Sequence, residues 1–216
     1  MNNSSEDVYE GFDLSKDEVE HFKNNHPGLC NVDLSRVSQF LLIQLAAIQK
    51  HRIYNSFAIT EVIQELEGVG RGCQQRIESF KYLPLKGLWK AHFHHASFIV
   101  KNIYNHWGLG FENSPKFNSL FERVTFEEER SPSNLGWPGR LAHEMVIGAY
   151  KERTDRKGLA GLTGEWIIFA KYRHQNYYLC ISRHTSGQED HELFDFVKLL
   201  FEHEYPFLLE EVSRRD

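Results

Sequence analysis

Cysteine, methionine and proline are scarce in this 216-residue chain, with three, two and six residues respectively. Cys30, Cys73 and Cys180 are odd in number, far apart and contain no CxxC pair, which excludes a disulfide framework and a thiolate zinc site. A reducing, cytoplasmic setting is the expectation. No segment approaches the roughly eighteen uncharged apolar residues of a membrane helix. Met1 to Glu10 is polar and acidic, without the basic start and apolar stretch of an export signal, so a soluble chain with no membrane contact is expected. A basic surplus is also missing. The formal net charge of -5 argues against a protein whose whole surface coats nucleic acid, because phosphate contacts require Lys and Arg. What is present is a hydrophobic content of 41%, enough for one sizeable core or two small ones.

The charges are unevenly spread. Residues 1–30 hold seven acids against Lys16 and Lys23, and residues 189–216 hold nine against Lys198, Arg214 and Arg215. Between Arg140 and His184, eight Lys or Arg face Glu144, Glu152, Asp155 and Glu165, so the middle of the chain is locally basic. Such a run either solvates a helix end and a hairpin or marks an anion-binding face.

The N-terminal part reads as helical. Asp33 is placed to cap a helix whose apolar positions are Leu34, Val37, Leu41, Leu45 and Ile48. Ile59, Val62, Ile63 and Leu66 form the stripe of a second helix, stopped by Gly68, Gly70 and Gly72. GVGRGC lacks the terminal Lys-Ser/Thr of a phosphate loop and reads as a turn. If Leu88 to Trp107 is a helix, His92, His95 and His106 fall on one stripe, and Phe93, Val100, Ile103, Tyr104 and Trp107 on another. The histidine stripe is either a polar face turned to a groove or partner, or a set of metal ligands, although no HExxH motif accompanies it. No cofactor is called for. Residues 125–139, TFEEERSPSNLGWPG, have the composition of a surface connection, which divides the chain into a mostly helical accessory region, 1–124, and a module at 140–216. In the helix Leu141 to Arg153, His143 shares a face with Val146, Ile147 and Tyr150, and so points toward apolar neighbours as a secondary site candidate.

Two β-rich runs follow. Glu165 to Tyr172 and Tyr177 to His184 alternate as strands, and an even loop over 173–176 places Glu165 opposite His184 on one face. Odd loops oppose Glu165 to Arg183 or Thr185 instead. Ser186 to Glu189 reads as an S-x-x-E capping box opening a helix with Leu193, Val197, Leu200 and Phe201 on its buried side. The expected fold class is therefore α+β: a helical N-terminal part, then a helix, a small antiparallel sheet centred on a β-hairpin, and a C-terminal helix.

A carboxylate and an imidazole a few ångströms apart exchange roles as general base and acid, and nearby cations stabilise a pentacovalent phosphate. That chemistry suits metal-independent RNA cleavage, where the substrate's own 2′-hydroxyl is the nucleophile. The catalytic candidates are Glu165, His184 and His143, with Arg140, Lys171, Arg173, Arg183 and Thr185 for substrate. An ordinary cross-strand polar pair is the structural alternative. The order helix, Gly-containing loop, GEW-led strand, tight turn, YYL strand, His-Thr and helix, over about residues 137–205, resembles the compact α+β core of the barnase, EndoU, colicin and RelE-type nucleases. The resemblance implies RNA cleavage without metal, with Glu165 and His184 as acid and base and Arg183 or Arg140 as phosphate binders. A full set of the family's catalytic residues is not found.

Two other classes fit the composition. One is a non-catalytic interaction protein, such as a phage- or plasmid-type inhibitor, whose acidic ends cover a basic host target or mimic nucleic acid; aromatic content of 13% suits such an interface. The other is a metal-dependent hydrolase built on His92, His95 and His106.

Overall fold

A computed structural model describes residues 9–70, 77–93, 98–110, 113–157 and 165–213. The fold is α+β, with a four-stranded antiparallel sheet in the order β1-β2-β3-β4. The strands are β1 (Ile77–Ser79), β2 (Trp89–Phe93), β3 (Glu165–Tyr172) and β4 (Gln175–Ser182). The helices are α1 (Lys16–Asn25), α2 (Gln39–Lys50), α3 (Ser56–Leu66), α4 (Phe98–Trp107), α5 (Pro115–Arg130), α6 (Gly136–Lys157), α7 (Gln188–Glu204) and α8 (Pro206–Ser213). Two compact units result: Met1–Phe93 with Gly164–Asp216, which holds the sheet, and His94–Thr163, which holds α4 to α6. No described helix is long and apolar enough to cross a membrane.

Local chemistry explains the helix starts. Ser15 and Glu18 form a reciprocal capping box at α1. Asp33 caps only a short 3-10 turn, Leu34–Arg36, and α2 begins later, where Ser38 accepts from the Leu41 amide. Ser38 Oγ in turn donates to the Leu179 carbonyl of β4, so the cap also ties α2 to the sheet edge. The expected box at Ser186 does not form. Gly187, at φ 59°, is the N-cap of α7 without a side-chain bond, and Glu189 is drawn instead to Arg183 at 2.7 Å.

The hairpin is tighter than its composition predicts. Arg173 and His174 both take left-handed backbone, φ 48° and 66°, making a two-residue turn of the mirror-image type without the usual Asn-Gly. Pairing runs from Tyr172↔Gln175 to Phe169↔Tyr178, then slips by one residue at a bulge, so that Ile168 faces Cys180 and Trp166 faces Ser182. The expected opposition of Glu165 and His184 is therefore not formed, and Glu165 registers with Phe93 of β2.

Both faces of the central strands are covered, as their continuous apolar runs require. Trp166, Ile168 and Ala170 pack with Leu193, Val197, Leu200 and Phe201 of α7 and Leu208 of α8. Ile167, Phe169 and Tyr178 are buried on the other face, and α2 and α3 contact β4 and β2 respectively. Gly28, buried beneath α3, shows how close this packing is. A Cβ there would lie 2.0 Å from Thr60 Oγ1, and Thr60 is itself fully buried. Gly28→Ala is expected to destabilise the chain by about 1–3 kcal/mol, read as a lowered urea midpoint at unchanged slope.

Two expectations are corrected here. Leu88 to Trp107 is not one helix: its first part is β2, and among the described residues only Phe98–Trp107 is helical, so His92 and His106 stand on different elements and in different units. Cover on both faces of the strand buries Ala91, His92 and Phe93 in succession. Likewise Thr125–Arg130 continue α5, leaving only 131–135 between α5 and α6.

Candidate functional site

The register slip decides which side chains meet at the open end of the hairpin. Trp166 pairs with His92 on one side and Ser182 on the other, and side chains opposed across strands share a face. His184, two residues beyond Ser182, continues that row. Its ring lies tilted against Trp166 with centroids 4.4 Å apart, and 5.4 Å from the ring of His92. Lys90 follows on the same face of β2, its Nζ 3.9 Å from the Trp166 ring and 3.8 Å from Glu78 of β1. Lys90, His92, Trp166 and His184 thus make one row across three strands. His184 is exposed, and His92 is buried.

Glu165 is excluded from that row by the pleat. It precedes Trp166, so it points to the opposite face, toward α2 and α3. There, burial and then the Glu165 charge push the Tyr54 hydroxyl above its ordinary range. Glu165 Oε2 is buried without a hydrogen-bond partner among the described residues. Thr185 Oγ1, beside His184 in the chain, is likewise buried without a hydrogen-bond partner among the described residues.

The candidate cations separate. Arg183 is exposed and holds Glu189 at 2.7 Å next to His184. Lys171 lies with its Nζ 3.8 Å from the Trp89 ring, and Arg173 stacks over Tyr172 at 5.1 Å. Those two residues are at the turn, six to eight residues from Glu165 and therefore roughly 20–26 Å along the strand, too far to serve one phosphate. In the helical unit, Arg140 bonds Glu128 at 2.9 Å and the Ser131 carbonyl at 3.0 Å. His143 is exposed on α6, as are Val146 and Ile147, so it does not face an apolar core. His106 rests on Trp107 at 4.6 Å, and His95 lies outside the described residues. No three His, Cys, Asp or Glu side chains gather as a metal group among the described residues.

Two polar clusters escaped the sequence reading. In one, His26 Nε2 is 3.0 Å from Ser56 Oγ, which suggests a nucleophile and its base. Proton placement argues otherwise. His26 Nδ1 accepts from the Gly28 amide at 3.1 Å, so in the neutral ring Nε2 carries the hydrogen and donates to Ser56. Ser56 Oγ passes its own hydrogen to Gln49 Oε1 at 3.1 Å. The cluster is structural. Burial holds the His26 imidazole below its ordinary value of 6.5, so the unfolded chain takes up the proton first. Stability is full above about pH 6.5 and falls as pH drops below it, and urea midpoints at about pH 7.5 and pH 5.5 should show this fall reduced in His26→Gln.

In the other cluster, Arg36 bonds Glu67 through two nitrogens, the Asn176 carbonyl at 3.1 Å and Asp33 at 3.2 Å, while the Tyr178 hydroxyl donates to Glu67 at 2.7 Å. It clamps the 3-10 turn before α2, the end of α3 and the start of β4. No family model, curated protein or solved structure matches this chain.

Proposed function

We propose that this protein is a metal-independent endoribonuclease-like enzyme whose acid–base chemistry centres on His184. The observation that carries the reading is the placing of two imidazoles, His184 and His92, 5.4 Å apart on one sheet face, beside the ammonium of Lys90. Two neighbouring imidazoles do not both hold a full charge comfortably, so one is favoured as base while the other is acid. The exposed His184 exchanges the proton with substrate, and buried His92 lies behind it as its partner. The 2′-oxygen attacks phosphorus, the 5′-oxygen leaves with a proton, and Lys90 and Arg183 supply positive charge to the phosphate. Glu165, on the other face, takes no part in this scheme.

Cleavage of single-stranded RNA by the purified chain in excess chelator tests the proposal. Activity that depends on His184 supports it, and no cleavage across a broad set of RNAs refutes it. A second reading, a non-catalytic protein that binds a protein partner, is favoured by the helical unit, where Val100, Tyr104, Phe121, Phe126 and Ile147 are large apolar side chains left exposed. Absence of cleavage together with capture of one stoichiometric partner would favour that reading.

A further inference from the structure

The helix α2 ends in a pattern where glycine is the usual residue. The Ile53 amide bonds the Ile48 carbonyl at 3.1 Å and the Arg52 amide bonds the Gln49 carbonyl at 3.4 Å, the paired bonds that close a helix through a left-handed residue. That residue is Arg52, at φ 54°. A side chain there carries a backbone cost that glycine avoids. Arg52 also lines a cavity of about 470 Å³ together with His21, Asn25, Gln49, Tyr54 and Phe57, a volume within the usual range for small-ligand sites.

The lining has one sign. No Asp or Glu contributes to it, although the chain has 30 acids. The Arg52 guanidinium makes no hydrogen bond or ion pair among the described residues, in contrast to Arg36, Arg123, Arg140 and Arg183. Asn25 Nδ2 lies 3.3 Å from His21 Nδ1 and donates to the His21 carbonyl at 2.8 Å, so Nδ1 accepts and His21 Nε2 bears a hydrogen. Phe57, half exposed, and Tyr54 add aromatic surface beside these donors.

We infer that this cavity is a binding site for a nucleoside monophosphate group, with the phosphate on Arg52 and His21 and the base against Phe57 and Tyr54. An unpaired guanidinium and an oriented N–H suit a phosphate, and aromatic walls suit a planar base. The site lies apart from the His184 row and its occupation does not require cleavage there. The group can come from a free mononucleotide or from the 5′-phosphorylated end of an RNA.

The test is calorimetric titration of the full chain with AMP and, separately, with a short 5′-phosphorylated oligoribonucleotide. Binding of either, weakened about tenfold or more in both Arg52→Gly and Arg52→Gln, supports the site, and the ligand bound identifies the source. Arg52→Gly should at the same time raise the unfolding midpoint or leave it unchanged, because glycine removes the backbone cost; this separates lost recognition from lost folding. Failure of the native chain to bind either ligand at about 1 mM, or affinity unchanged in either variant, overturns the inference.

Discussion

His184→Ala is expected to lower RNA cleavage in excess chelator by about 10²- to 10⁴-fold, the range for loss of a general acid or base. The side chain is exposed, and Trp166, the ring it lies against at 4.4 Å, is held by the core on its own account, so the unfolding midpoint should move little. Loss of activity at constant stability is therefore the signature of a chemical role. Glu165→Gln serves as the matched control. Because the pleat sends Glu165 to the face of Tyr54, its substitution should leave cleavage within a few-fold of the native rate. Equal losses in both variants would show that the two faces act together and would overturn the placing of the site on the Trp166 face. Normal cleavage by His184→Ala would remove His184 from the mechanism altogether.

Glu67→Ala is expected to cost about 3 kcal/mol, seen as a lowered urea midpoint, which makes it the largest loss of stability foreseen here. Both partners of the Arg36–Glu67 pair keep only 12% of their side-chain surface exposed. Removing the carboxylate leaves the buried guanidinium with Asp33 as its one remaining counter-charge, beside the Asn176 carbonyl, and strips the Tyr178 hydroxyl of the acceptor it holds at 2.7 Å. The cluster joins three segments distant in sequence, so its loss loosens the docking of α2 and α3 on the sheet together. Burial raises the Glu67 carboxyl, but the bonds from Arg36 and Tyr178 outweigh it and hold the group below its ordinary 4.5. Since the folded value is the lower one, this stabilisation is full above about pH 4.5 and is lost as pH falls below that. Acid should accordingly narrow the gap between native and Glu67→Ala chains, and a gap independent of pH would show that packing, not charge, dominates.

Much of the secondary structure was legible in side-chain periodicity. The apolar spacing in 41–48 and 59–66, the continuous apolar run in EWIIFA, and the stripe Leu193, Val197, Leu200 and Phe201 mark elements that the fold contains. The cover on both strand faces follows from the same apolar runs, whereas the capping box formed at Ser15 and not at Ser186. The segment around His92 was ambiguous because a run of Trp, His and Phe satisfies a helical stripe as well as a strand, and only pairing with β3 resolves it.

The α+β class, the β-hairpin and the apolar faces of its strands were determined by the amino-acid sequence, since each depends on residues within one or two turns or pleats of one another. Which polar side chains meet was decided by tertiary structure. Arg173 and His174 accept left-handed backbone without a glycine signature, and a single unpaired residue of β4, Leu179, opposite the step from Ile168 to Phe169 shifts every partner beyond it. Because strand side chains alternate with period two, that one-residue slip separates Glu165 from His184 and sets His184 beside His92, 92 positions away in the chain.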